Sequence, residues 1–456
     1  MNVHLDHIEN VFLIGIGGIG MSALARYWKH QGKCVAGYDI RETALTKKLV
    51  SESIPVFYSD DTNLIDPKFF TKKTLVVRTP AVSDYLNVLT IWNTYQIEVL
   101  RRSQMLALIA SNHNVFAISG THGKTTITTL LGHLLNQRTQ KVNAFMGGIA
   151  SNYASNLLLS SKTDDMVVEA DEYDRAFLQL HPKAAVITSI DSDHLDIYGS
   201  FENIVTAFNQ FARQINPNGL LIYKKGIAIN IPANLKAYSY DVTDVEADIH
   251  TQNLEIIDGC YRFDLVTLNA IYPALQLGVP GWYNLENAVA ASAMSIYAGI
   301  TVEELKSGLK SFLGVERRFE LHTTKPVIYI DDYAHHPNEI NACIDSIRKI
   351  YPGKSILAIF QPHLYTRTRD FMEQFAMALA KADGIGITDI YPAREVPIEG
   401  INAQALIAKI PNAQYVDFES IASFAVTQDK DIILTMGAGS IGDKVAEIRK
   451  KLEDNV

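Results

Sequence analysis

Three stretches of this chain repeat one pattern. Each has a short apolar run rich in β-branched residues, then a turn, then apolar residues at helical spacing. They begin NVFLIGIGGIG at Asn10, NVFAISGTHGKTT at Asn114 and KPVIYIDDYAHHP at Lys325. Strands that alternate with helices demand parallel sheets built from βαβ units, so the fold class is α/β. Between about residues 240 and 280 the texture changes to extended segments with turns, which predicts a small antiparallel patch. A helix over ENAVAASAMSIYAG follows. A chain of 456 residues holds about two to four domains. Boundaries near 110 and 320 divide it into 1–110, 111–319 and 320–456. The expected domains are a Rossmann-like N-terminal domain, a central P-loop ATPase-type α/β domain and a C-terminal Rossmann-like α/β domain.

The bulk numbers exclude several classes. A chain that is 47% hydrophobic and 20% charged can build its core without staples. Cys34, Cys260 and Cys343 lie far apart. Their spacing spells neither a disulfide framework nor a metal site, and it suits a reducing cytoplasm. The first apolar run is short and ends in glycines, which reads as a strand and not as a signal peptide. No run of about 18 apolar residues suggests a membrane span. Net charge is 41 − 50 = −9, with no basic stripe, so no nucleic-acid or membrane partner is expected. A phosphorylated ligand must then be held by local cations, backbone amides and metal ions.

The first turn, Gly15-Ile16-Gly17-Gly18-Ile19-Gly20, fits G-x-G-x-x-G between a strand and a helix. Gly15, Gly17, Gly18 and Gly20 would let a diphosphate approach the backbone at a helix N-terminus. Asp39 ends the next strand, where an acidic residue often meets a ribose hydroxyl. Alone, this loop suits a nicotinamide or flavin dehydrogenase equally well, or a turn made only for packing.

The second turn is more specific. In Ser119-Gly120-Thr121-His122-Gly123-Lys124-Thr125-Thr126, the amides of Gly120, Thr121, His122, Gly123 and Thr126 would wrap phosphates. Lys124 would neutralise the β and γ oxygens, and the Thr125 hydroxyl would face Mg²⁺. The loop is shorter than the standard pattern, which wants glycine where Ile118 stands. Farther on, Met166-Val167-Val168-Glu169-Ala170-Asp171-Glu172 reads as a strand ending in carboxylates. Such an end borders the ligand crevice of a parallel sheet. Glu169 is the candidate Mg²⁺ carboxylate, with Asp171 or Glu172 able to assist. In Asp191-Ser192-Asp193-His194-Leu195-Asp196, His194 is a candidate for a second Mg²⁺ or its water shell, against the plainer reading of a core or surface histidine. A dehydrogenase leaves the second loop and the carboxylates without work. A non-catalytic nucleotide-binding protein leaves the set Lys124, Thr125, Glu169 and His194 without a reason.

These motifs, taken in order, resemble those of the Mur ligases of peptidoglycan synthesis. The G-T-H-G-K-T-T loop, E-A-D-E, S-D-H-L-D, G-W-Y-N-L-E-N-A-V-A-A, E-R-R-F-E and D-D-Y-A-H-H-P all occur at suitable spacing, and the resemblance spans essentially the whole chain. It implies a cytoplasmic, ATP-dependent ligase that uses two Mg²⁺ ions, with Mn²⁺ able to substitute. The opening G-I-G-G-I-G-M-S and the segment Q-P-H-L-Y-T-R-T are similar to the branch that joins L-alanine to the lactyl carboxylate of UDP-N-acetylmuramate. Tyr173, where that branch more often has serine, looks slightly like the recycling branch that adds a tripeptide to the same acid. Sister branches carry a carbamylated lysine after the D-H-x-D turn. Residues 193–223 contain no lysine, which excludes that device.

The resemblance also assigns roles. Lys124 and Thr125 hold ATP phosphates and Mg²⁺, and Glu169 and His194 hold metal. Asn284 and Asn287 match a pair that recognises adenine, although Asn284 would serve equally as a helix cap. Arg318 matches an arginine that reaches the γ-phosphate, making Lys124, Glu169, His194 and Arg318 the catalytic set. Arg317 reads as a solvated or structural charge. Asp332 matches a ribose ligand. His335 and His336 are expected near the phosphates or the amino acid, or as loop formers before Pro337. His363 and Arg367 are candidates for the amino acid's carboxylate. The usual S-S-A-I loop appears as Thr79-Pro80-Ala81-Val82, leaving Thr79 one hydroxyl contact with the sugar nucleotide.

Overall fold

The computed structural model describes residues 5–161, 163–192, 195–323, 327–393 and 395–454. The chain divides into two compact units. One comprises Met1–His250, Thr267–Asn269 and Val289–Gly308; the other comprises Thr251–Val266, Ala270–Ala288 and Leu309–Val456.

The first unit contains two sheets. The smaller is wholly parallel and runs in the order Val56–Phe57, Cys34–Tyr38, Asn10–Ile14, Thr74–Arg78, Val99–Arg101. That is the order of the doubly wound dinucleotide-binding sheet, 3-2-1-4-5, without its sixth strand. Its middle strand explains the pattern: Val11 and Leu13 join the core under the helix Ile19–His30, while Phe12 and Ile14 join a second core with Phe69 and Trp92. Residues of alternating face are buried on both sides, as a sheet covered by helices on each face requires.

The larger sheet runs Lys236–Tyr240, Leu220–Lys224, Ala184–Ile187, Asn114–Ser119, Asp165–Glu169, Asn143–Ala150, Ser155–Leu158. Only the last pair is antiparallel. Register aligns Ile118 with Glu169 on one side, and Ser119 with Ile187 on the other. The second glycine loop, the acidic run and the start of the Asp-rich turn therefore leave the sheet along one edge.

A polar junction joins the two sheets. The helix Ile19–His30 packs on the strands Asn143–Ala150 and Ser155–Leu158, with the rings of Tyr27 and Phe145 5.6 Å apart. Fully buried Asn156 donates to the Ile19 carbonyl and to Ser22 Oγ at 2.9 Å, and accepts from Arg26 at 2.5 Å. Arg26 in turn grips both oxygens of Glu52 at 2.7 and 3.1 Å.

The second unit contains the expected antiparallel patch, a three-stranded sheet in the order His250–Ile257, Cys260–Val266, Ile271–Gln276. Its six-stranded sheet runs Glu320–Thr323, Ile328–Asp332, Ile432–Met436, Ile356–Phe360, Gly384–Ile387, Ala413–Tyr415, parallel except for the first pair. The third sequence pattern forms the strand Ile328–Asp332 and the helix Pro337–Ile350, which buries Ile340, Cys343, Ile344 and Ile347. All three cysteines are free. No described helix is long and apolar enough to cross a membrane.

Replacing Asn156 by Ala strands one arm of Arg26 and takes one of two donors from the Ile19 carbonyl, which keeps Ser22 Oγ at 2.9 Å. Urea titration of Asn156→Ala is expected to show a loss of about 1–3 kcal/mol, the range for orphaning buried polar groups.

Candidate active site

The second glycine loop is fixed from below by the neighbouring strand end. Gly120 has φ +130°, and a Cβ there would lie 2.0 Å from Thr188 Oγ1, so only glycine lets the loop fold this close. Thr121 bonds Ser189 through its hydroxyl at 2.8 Å and its amide at 3.1 Å, and the His122 amide donates to Ser189 Oγ at 3.1 Å. His122 Nε2 lies 3.0 Å from Asp191. Gly123, at φ +80°, begins the helix Lys124–Leu135. Thr125 and Thr126 follow, buried in its first turn.

Lys124 donates to the Gly120 carbonyl at 2.7 Å and to Glu172 at 2.8 Å. Glu172 is almost wholly buried, and its carbonyl accepts from Tyr198 Oη at 2.7 Å. Burial works to lower the Lys124 pKa. The charges of Glu172, Asp171 and Glu169 outweigh it and hold the ammonium above the usual lysine range. Glu169 ends its strand over Gly147, where a Cβ would meet its Oε2 at 2.1 Å. The missing side chain at 147 is what makes room for this carboxylate.

The first glycine loop and this acidic edge line a single cavity, walled by Gly18, Gly20, Thr79, Arg102, Gly147 and Glu169 among others. Arg102 begins the helix Arg102–Ala110 and lies 3.6 Å from Asp171. Asp39 turns back to the loop: it accepts from the amides of Gly17 at 2.7 Å and Ile40 at 2.8 Å. Expected at a ribose hydroxyl, its carboxylate also holds the loop, because two amides lie within its short reach. Thr79 packs against Gly15, a Cβ on which would meet Thr79 Cγ2 at 2.3 Å.

In the second unit, Asp332 is buried and accepts from Tyr283 Oη at 2.6 Å and the amides of Phe319 and Ala334 at 2.7 Å each. Burial pushes its carboxyl up to about 6, against the Tyr283 hydrogen bond and the nearby Arg318. Expected from the family resemblance to bind ribose, it also anchors the segment that carries Arg318. The Arg318 guanidinium lies over the Tyr333 ring, 4.8 Å from its centre. Arg317 is structural, bonded to Asp331 at 2.9 Å and to the Gly437 carbonyl at 2.7 Å. Asn284 folds its amide nitrogen back onto the Pro280 carbonyl at 2.7 Å, at the start of the helix Trp282–Tyr297. Among the described residues its buried Oδ1 has no hydrogen-bond partner. Asn287 is buried on the same helix.

The two histidines before Pro337 separate. His336 caps the helix, its Nδ1 accepting from the Asn338 amide at 3.3 Å, and its ring sits edge-on to Phe371. His335 joins His363 and Arg367: the two imidazoles are 5.9 Å apart, and Arg367 Nη1 lies 3.3 Å from His363 Nδ1. His335 Nδ1 faces two acceptors, the Tyr333 carbonyl at 3.0 Å and Glu339 at 3.2 Å, so it carries the ring proton. Burial pushes the His335 pKa down to about 4, with Arg367 and Arg318 adding to it and Glu339 and the Tyr333 carbonyl opposing.

A UDP-N-acetylmuramate–L-alanine ligase from Flavobacterium johnsoniae is 43% identical to the chain over 464 residues, covering 100% of each. The chain matches the Mur ligase family catalytic domain over residues 10–114, the Mur ligase middle domain over 118–295 and the Mur ligase glutamate ligase domain over 317–439. It belongs to the Mur ligase family. A crystal structure of UDP-N-acetylmuramate-alanine ligase MurC from Thermotoga maritima superposes with a TM-score of 0.83 at 25% identity, covering 98% of this chain and 100% of that one. A murein peptide ligase from Psychrobacter arcticus shares the fold, with a TM-score of 0.69 at 20% identity, covering 98% and 99%.

In this Mur ligase the sequence-named residues fall into two groups. Gly15, Gly17, Gly18, Gly20, Asp39, Thr79, the loop from Gly120 to Thr126 and Glu169 lie in the first unit. Asn284, Asn287, Arg318, Asp332, His335, His336, His363 and Arg367 lie in the second. His194 and Asp193 lie outside the described residues. Four contributors were not named from the sequence: Arg102, Gly147, Ser189 and Glu339. Ser189, two positions before the Asp-rich turn, and Glu339, two positions after D-D-Y-A-H-H-P, stand beside visible motifs.

Because folding depresses the His335 pKa from its usual value near 6.5 to about 4, the unfolded chain binds more protons in that window. The native state is therefore favoured above it and loses stability as pH falls through it. Denaturation of wild type and His335→Gln between pH 4 and 7 is expected to show wild type losing about 3 kcal/mol relative to the variant across that range.

Proposed function

We propose that this Mur ligase joins L-alanine to the lactyl carboxylate of UDP-N-acetylmuramate at the expense of ATP. The products are UDP-N-acetylmuramoyl-L-alanine, ADP and phosphate, formed through an acyl phosphate. The observation that carries this reading is the shared cavity: the diphosphate-type loop Gly18–Gly20 and the carboxylate Glu169, beside the phosphate-type loop, face the same space. The full-length similarity to L-alanine-adding ligases supports the choice of acid and amine. A cytoplasmic setting and the division at residues 110 and 320 belong to the same proposal.

The residues present fit a nucleoside triphosphate and Mg²⁺. The Gly120 cradle has no room for a side chain, and Thr125 and Glu169 offer the oxygen donors a hard cation prefers. When bound, the metal supplies positive charge to the phosphoryl oxygens; two ions, with Mn²⁺ as a substitute, are proposed. That charge is needed because Lys124 is already matched by Glu172. Two anions, carboxylate and phosphate, have to meet, and one neutralised lysine does not screen them. Arg318 adds a cation held ready by its Tyr333 stack. Arg367 and His363, already paired, take the amino acid's carboxylate. Water has to be kept from the acyl phosphate until the amine attacks it.

Phosphate release from ATP and Mg²⁺ with UDP-N-acetylmuramate tests the reading. Release is expected with L-alanine and not with L-Ala-γ-D-Glu-meso-diaminopimelate. Release only with the tripeptide would assign the recycling activity that Tyr173 hints at, and release with neither would sink the ligase reading. In the same assay Gly147→Ala is expected to lower turnover about 100-fold and raise the Mg²⁺ requirement, because the new methyl displaces Glu169.

A further inference from the structure

We propose that Arg102 is the residue that grips the carboxylate of the sugar-acid substrate, and that Asp171 occupies this grip when the cavity is empty. This rests on the ligase reading above. Arg102 lines the cavity shared by the first glycine loop and Glu169. Its guanidinium lies against Gly20, where a Cβ would be 2.7 Å from Nη1. Its other arm points to Asp171, with Nη2 3.6 Å from Oδ2. The cation thus bridges the glycine loop of one sheet and the acidic edge of the other.

The ion pair with Asp171 is longer than a hydrogen bond, and both side chains are 30% exposed. A guanidinium has five N–H donors in a planar fork that matches a carboxylate edge-on. At 3.6 Å that capacity is largely unspent, so a better-placed carboxylate displaces Asp171 readily. Asp171 has a second partner to return to, since its Oδ1 accepts from the Tyr173 amide at 3.2 Å. The neighbouring parts of the cavity are differently occupied. The helix N-terminus at Gly18 and Ile19 suits the diphosphate, and Glu169 faces the phosphoryl-transfer side. Arg102 stands between them, where the acid group of a bound sugar has to lie to be activated.

The test is binding, measured by calorimetry without ATP or metal. Two probes are used: UDP-N-acetylmuramate, and UDP-N-acetylglucosamine, which has the same nucleotide and ring but no lactyl carboxylate. Arg102→Ala is expected to weaken the first by about 10- to 100-fold and the second by less than about threefold. Arg102→Lys, with charge but no fork, is expected to fall between. Asp171→Asn removes the competing charge yet keeps an acceptor for the Tyr173 amide, and is expected to tighten the first probe only. Equal losses for both probes would overturn the proposal in favour of a diphosphate or structural role. No loss in Arg102→Ala would overturn it outright. Failure of the wild-type protein to bind either probe would sink the ligase reading itself.

Discussion

A lysine ammonium held inside a protein needs an anion before any phosphate arrives. Lys124 meets that constraint with Glu172, and much of the first unit follows from it. The carboxylate has to come from the strand next to the one that feeds the glycine loop. It has to leave that strand at the same end, which only a parallel pair allows. The register between Asn114–Ser119 and Asp165–Glu169 satisfies both conditions. With its charge already cancelled, Lys124 alone cannot hold a triphosphate, so oxygen donors for a divalent cation belong beside it. Glu169 and Thr125 are the groups at hand.

The same economy of space governs the cavity. Glu169 exists in its position because residue 147 has no side chain, and Arg102 reaches its place because residue 20 has none. The buried Asn156 junction then fixes the helix of the first loop against the strand that carries Gly147. Each contact is small, yet together they hold a diphosphate-type loop and a phosphoryl-transfer edge in one rigid frame. Reactions between two bound anions depend on such fixed placement more than on any single attraction.

In the second unit the polar residues sort by what burial does to them. Asp332 and His336 bond the protein's own amides, while His335, His363 and Arg367 lie together. Motif matching cannot make this distinction. Two adjacent histidines look equivalent in a sequence. One caps the helix because its ring falls over the Asn338 amide, and the other turns to the cluster because Glu339 and the Tyr333 carbonyl hold it there.

The sequence by itself determined the α/β class, the two glycine loops, the antiparallel patch and the membership of the Mur ligase family. These are local: strand, turn and helix have short-range signatures, and a phosphate loop is contiguous because its amides must converge on one group. What the sequence left open was long-range. Asp39 and Asp332 read as ligand carboxylates, and only folding showed the nearby amides that engage them. Gly147, Arg102 and Ser189 carry no motif, since their roles consist in what the tertiary structure brings against them from 22, 69 and 68 positions away in the chain. Spatial neighbours of that kind are decided by strand order and register, which no short window of sequence contains.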